Sequence, residues 1–419
     1  MNTKFKSASR RRFLIGISAA SALLTNDCSG PIEQAEANAL VQQPQQSAPT
    51  KLALEDFQPK SMLVVPEHPV ARARYPVIDM HTHVSGVFGR RRSRDPEDPD
   101  ANAASAFKQL NEFVGWMDQL NIQTLINLTG GYGETLKQNI SDLQGRYKGR
   151  FLNCVVPAYD RLREPNYSAW QAEEVQRAKT ASAIGVKITK TLGLFLRENG
   201  KEGALVKIDD SRFDPMWETA GRLNMPIFIH TADPDAFFTP TDRFNERWEE
   251  LGGHPDWSFY GKDFPPKADL LAARNRVIER HPRTTFVGLH VANHPENLDD
   301  VSSWLAKYPN LHVEIGARLG ELGRQPRRAR KFFEDYQDRI MFGTDASPNS
   351  TESMQQILQP GMFQAYFRFL ETLDEHFDYA ISPTPPQGRW KIYGIGLPDE
   401  ILKKVYHNNA ARLLNLQAI

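Results

Sequence analysis

Two of the chain's 11 histidines, His81 and His83, stand one residue apart at the end of the apolar run "VIDMHTHV", residues 77–84. Side chains alternate faces along a strand, so residues two apart point the same way, about 7 Å apart along the backbone. Two imidazoles so placed suit a single ion. Zinc takes imidazole nitrogen at about 2.0–2.1 Å, and a rigid strand offers both ligands with little ordering cost on binding. Asp79 falls on the same face. The pair alone fits a polar strand end bonded to nearby backbone equally well, so further ligands must come from elsewhere in the chain.

The chain of 419 residues carries 51 Lys+Arg against 51 Asp+Glu, a balance that argues against nucleic acid as a partner, since such binders show a basic excess or stripe. Its length allows one large domain or two ordinary ones. Beyond the first thirty residues no apolar run reaches membrane-spanning length, so stable membrane insertion is not expected.

The N-terminus reads as a targeting peptide, residues 1–37, outside the fold. Ser9-Arg10-Arg11-Arg12-Phe13-Leu14 resembles the core of the twin-arginine export signal, which implies the twin-arginine machinery as a partner and an exported, periplasmic location. Cleavage after Ala37 or Ala39 fits the small residues there. A lipid anchor at Cys28 is disfavoured, because "TNDC" lacks the small residues that such a site wants. Residues 38–75 read as a linker or N-terminal extension, dominated at first by Gln, Pro and Ala. Only Cys154 then remains in the mature chain, so no internal disulfide forms and the core or a metal must stabilise the fold.

The elements that must position the histidines can be counted. "VIDMHTH", "IQTLINLT", "FLNCVVP", "AIGVKIT", "PIFIH", "TTFVGLH", "LHVEIGA" and "RIMFGT" read as strands, and amphipathic stretches such as "ADLLAARNRVIERH" lie between them. Eight strands alternating with helices imply an α/β fold, a (β/α)₈ TIM barrel over residues 76–419. Barrel chemistry sits at the C-terminal ends of the strands. His81 and His83 end the first strand, His230 the fifth and His290 the sixth, and Asp345 follows the eighth.

This constellation, with "GVKI", "MPIFIH", "FGTD" and the ending "NNAARLLNL", resembles the metal-dependent amidohydrolase superfamily from Pro76 to Leu416. It is most similar to the amidohydrolase-related branch of aminocarboxymuconate-semialdehyde decarboxylase, resorcylate-type decarboxylases and sugar or pyrone lactonases. The resemblance implies one divalent ion, with zinc expected, held by His81, His83, His230 and Asp345. His290 would be the acid/base, and Asp345 would share the proton-accepting role. Lys187 in "GVKITK" is the candidate for bridging a second metal in relatives that hold two.

Two features depart from that branch. "HVANHPEN" lacks its glycine-rich continuation after the strand-six histidine, leaving His294 as a surface or substrate-contact residue. A long aromatic and proline-rich segment, 363–398, comes after strand eight as a lid, a core element or a subunit pad. Among the arginines of the active face, Arg318 is nearest a strand end and suits a substrate anion, whereas Arg90, Arg91 and Arg92 read as surface. The expected activity is hydrolysis of a small-molecule lactone, ester or amide by metal-activated water. Non-oxidative decarboxylation of an aromatic or enoic acid is the alternative, and an inactive exported binding protein is a third reading. A homo-oligomer is left open.

Overall fold

Eight short parallel strands, each too apolar to face water, form a ring in chain order. They are β1 Val77–Thr82, β2 Ile122–Asn127, β3 Phe151–Val155, β4 Gly185–Ile188, β5 Ile227–Ile229, β6 Phe286–Gly288, β7 Leu311–Glu314 and β8 Ile340–Met341. The structure is a computed structural model that describes residues 51–85, 99–200, 202–348, 356–382 and 387–419. The export motif, both cleavage positions, Cys28, and Arg90, Arg91 and Arg92 lie outside these residues. The chain divides into two units between Pro59 and Lys60. In the first, the described residues form one 3₁₀ turn, Leu54–Asp56.

Between β1 and β8 the ring is drawn together by backbone bonds from Met80 to Phe342 (3.0 Å), from Asp345 to His81 (2.7 Å) and from His83 to Ala346 (2.8 Å). Asp79 reinforces this seam. Its buried carboxylate accepts from the Thr344 amide at 3.1 Å and from the Thr344 hydroxyl. The expected (β/α)₈ barrel is therefore the observed one, nearly closed and with helices between the strands.

Residues alternate between two apolar layers. Ile78, Met80, Ile126, Cys154, Phe228, Val287 and Met341 come from the strands themselves and, with Leu128 just after β2, pack inside the ring, capped by Ala410 and Ala411 near the C-terminus. Their neighbours, such as Leu125, Val155, Ile227 and Phe286, pack outward against the helices. Val186 and Ile188 belong to that outer layer, so alternation turns Lys187 inward.

The helices around the ring include α1 Lys267–Arg280, α2 Leu298–Lys307 and α3 Pro360–Glu371. Helix α3 opens the segment expected to be a lid, core or pad, and it is core: Met362, Phe363, Tyr366, Phe367, Phe369 and Leu370 are all buried. The second half of the extension before β1 bonds to the barrel through His68 to Asp374 (2.6 Å) and Arg74 to Asp399 (2.6 Å). Among the described residues no helix is long and apolar enough to cross a membrane.

Candidate active site

His81, His83 and Asp345 meet at the mouth of the ring because the β1–β8 seam brings their strand ends together. Nε2 of His81 lies 2.9 Å from Asp345 Oδ1, and Nε2 of His83 lies 2.8 Å from the same oxygen. One ligand atom from each residue falls within 4.8 Å of the others. Two imidazoles and a carboxylate are a donor set that suits a divalent ion. Asp345 has a left-handed backbone, φ +64°, and Gln356 donates to its other oxygen at 2.6 Å. Burial pushes the Asp345 carboxyl up, but His81 and His83 outweigh it and hold the group well below the usual carboxylate range. Burial lowers the His83 imidazole, which favours the neutral form that a ligand needs.

Glu314, at the end of β7, organises the site from below, and the sequence reading missed it. It is fully buried and accepts from His81 Nδ1 (3.1 Å), from the His290 amide (2.6 Å) and from the Gly316 amide. The first of these bonds holds a proton on His81 Nδ1 and aims Nε2 at Asp345, which is how carboxylates commonly orient metal-binding imidazoles. Room for the carboxylate depends on two glycines, since a Cβ at Gly316 or Gly343 would collide with its Oε2. A single Glu inside an apolar strand, "LHVEIGA", was the available signal.

His290 presents a bare ring nitrogen. Its Nδ1 donates to the Gly316 carbonyl at 2.8 Å, so Nε2 is the bare atom. That atom is buried without a hydrogen-bond partner, 4.0 Å from Asp345 Oδ2. Burial and the neighbouring Arg318 charge hold His290 well below the usual imidazole range, so it is neutral. The backbone here is unusual: His290, Val291, Ala292 and Asn293 all have φ between +52° and +57°. This is a left-handed turn without glycine, at about 1–2 kcal/mol per residue and less at Asn.

The other expected residues are less closely drawn into the site. His230 contacts His290, with ring centroids 4.5 Å apart, but stands outside the grouping of His81, His83 and Asp345. Its Nε2 lies 3.3 Å from Asp233, and burial lowers its pKa to about 4. Lys187 is buried with Nζ 3.3 Å from His81 Nε2, and burial lowers its pKa to about 8. Arg318 is buried, its Nη1 bonded to the Ala317 carbonyl at 2.7 Å and its Nε unpartnered. His294 lies apart with Asp235 and Glu296, a grouping that already encloses the Lys267 ammonium, 2.6 Å from Asp235.

A parallel barrel with imidazoles and a carboxylate gathered at one rim is the architecture of a metal-dependent enzyme. The family model described as amidohydrolase matches residues 78–416, and the chain belongs to that family. No curated protein sequence matches the chain. Similar solved structures include 2,6-dihydroxybenzoate decarboxylase from Rhizobium, at 14% identity over 81% of this chain and 99% of that one, with a TM-score of 0.47. Another is 5-carboxyvanillate decarboxylase from Sphingomonas paucimobilis, at 14% identity over 82% and 100%, TM-score 0.46. A third is dihydroxybenzoic acid decarboxylase from Polaromonas with bound manganese, at 14% identity over 81% and 97%, TM-score 0.47.

Proposed function

We propose that the protein is a metal-dependent hydrolase acting on the carbonyl group of a small anionic lactone, ester or amide. The observation that carries this reading is the bare, buried Nε2 of His290 facing the carboxylate that also gathers His81 and His83. A divalent ion, held by His81, His83 and Asp345 with His230 as the further imidazole, would supply an acidified water and polarise the carbonyl. The neutral His290 Nε2 accepts the water's proton, directly or by way of Asp345. His290 then returns a proton to the leaving group, a transfer favoured by the low proton affinity that burial and Arg318 impose on it. Glu314 holds the His81 ring and the His290 backbone in place throughout. Arg318, with an unpartnered Nε and no carboxylate in an ion pair with it among the described residues, binds the anionic part of the substrate.

The test joins elemental analysis to a screen of lactones, esters, amides and aromatic carboxylates. One divalent ion per chain is expected, with zinc the favoured ion; two would make Lys187 a ligand. His290→Asn should keep the metal and lower kcat by about 10²–10⁴-fold, the scale of a lost general acid/base. Arg318→Gln should act mainly on KM. Undiminished metal content in a His81→Ala/His83→Ala variant would overturn the site, and carbon dioxide release without any hydrolysis would replace this reaction with decarboxylation.

A further inference from the structure

We infer that Arg274, on helix α1, is a positioning residue for His290, acting through the left-handed turn that begins there. Arg274 is fully buried, yet among the described residues it forms no ion pair with a carboxylate. Its Nη1 donates to the carbonyl of Ala292, inside the turn, and its Nε and Nη2 bond Asn275 Oδ1 at 3.1 and 2.8 Å. The guanidinium carbon sits 4.6 Å from the centre of the Trp304 ring on helix α2. A buried guanidinium without a counter-ion is costly, so what it binds must hold it there and be held in return.

The turn needs such a hold. Val291 is β-branched and sits at φ +56°, a conformation that such residues rarely adopt. Besides the turn's own backbone bonds and the His290 Nδ1 bond to Gly316, three ties hold it there. The His290 amide is bound by Glu314 at 2.6 Å, Asn293 Oδ1 accepts the Thr231 amide at 2.9 Å, and the Ala292 carbonyl is bound by Arg274. Glu314 and Asn293 secure the two ends. Arg274 is the one of these three that grips Ala292, in the middle of the turn. If the turn relaxes toward ordinary backbone, His290 rotates away from the Gly316 carbonyl and its bare Nε2 no longer faces Asp345.

This inference rests on the reading of His290 as the acid/base, and the experiment separates the two. The variants are Arg274→Met, Arg274→Lys and Arg274→Met/Val291→Gly, the last removing the strain that Arg274 opposes. In zinc-loaded protein labelled with ¹⁵N-histidine, wild-type His290 should be protonated at Nδ1 alone. In Arg274→Met it should become a mixture of tautomers with zinc content unchanged, and the added glycine should restore the single tautomer. With a substrate from the screen, kcat should fall by about 10²-fold with KM little changed, the scale of a misplaced catalytic group. Arg274→Lys should fall between wild type and Arg274→Met. A pure His290 tautomer in Arg274→Met, or a lowered kcat that glycine does not rescue, overturns the inference. Should Arg274→Met fail to fold, an unaltered tautomer and kcat in Arg274→Lys together overturn it. Full turnover by His290→Asn would instead overturn the role of His290 itself, whatever the tautomer data show.

Discussion

Replacing Glu314 by Gln tests whether one buried carboxylate holds the site together. The side chains have the same shape, but the amide offers one acceptor oxygen where the carboxylate offers two. Three N–H groups converge on Glu314, from His81, His290 and Gly316. In the variant one of them must face an NH₂ group head on. A hydrogen bond to a charged group contributes about 1.5–3 kcal/mol, and a stranded buried donor costs about 1–3 kcal/mol. The expected loss is about 3–5 kcal/mol of stability. With an unfolding entropy of about 2.1 cal/mol/K per residue across the barrel, that lowers Tm by about 4–7 °C. Scanning calorimetry of the metal-free protein reads this directly. Loss of the His81 orientation should weaken divalent-metal affinity by about 10–100-fold, measured by chelator competition. A Tm within about 1 °C of wild type, together with unchanged metal affinity, would refute the account of Glu314 as the organiser of His81 and His290.

At the opposite end of β7, burial and the charges of Arg339 and Arg412 lower the His312 pKa to about 3. Its folded-state pKa lies below the unfolded value of about 6.5, so the unfolded chain binds the extra proton and stability is lost as pH falls from about 6.5 toward 3. Between pH 7.5 and pH 5 the His312→Gln variant should therefore lose about 2 kcal/mol less than wild type, and parallel curves of Tm against pH would refute this. Export is proposed on the motif at Ser9–Leu14: Arg10→Lys/Arg11→Lys should leave the precursor in the cytoplasm, whereas mature variant protein in the periplasm would show that the motif is not the signal.

The eight strands and the barrel were legible in the sequence because each strand is a short run whose apolar residues must be buried, and alternation with helices admits few ways to do so. His81 and His83 were legible for a related reason: a strand forces residues two apart onto one face, whatever the rest of the chain does. The placement of His290 beside Asp345 also came from topology, since parallel barrel strands end at one rim. The lid, core or pad question for residues 363–398 was open in the sequence, because aromatic residues at helical spacing look alike whether they face a ligand or a core. Only the tertiary structure buried α3.

What tertiary structure alone decided is how the side chains at that rim are aimed. Glu314 looks like an isolated charge in an apolar strand until the fold stacks it under His81 and His290, residues 233 and 24 positions away. His230 ends a strand as expected, but its Nε2 turns to Asp233, a choice set by a loop rather than by the strand. The left-handed turn at His290 contains no glycine to announce it, because its backbone strain is carried by partners distant in sequence, Arg274, Thr231 and Glu314. Local sequence determines which residues reach the rim, through burial and alternation. Orientation there depends on hydrogen bonds between segments far apart in the chain, and only the folded barrel brings those together.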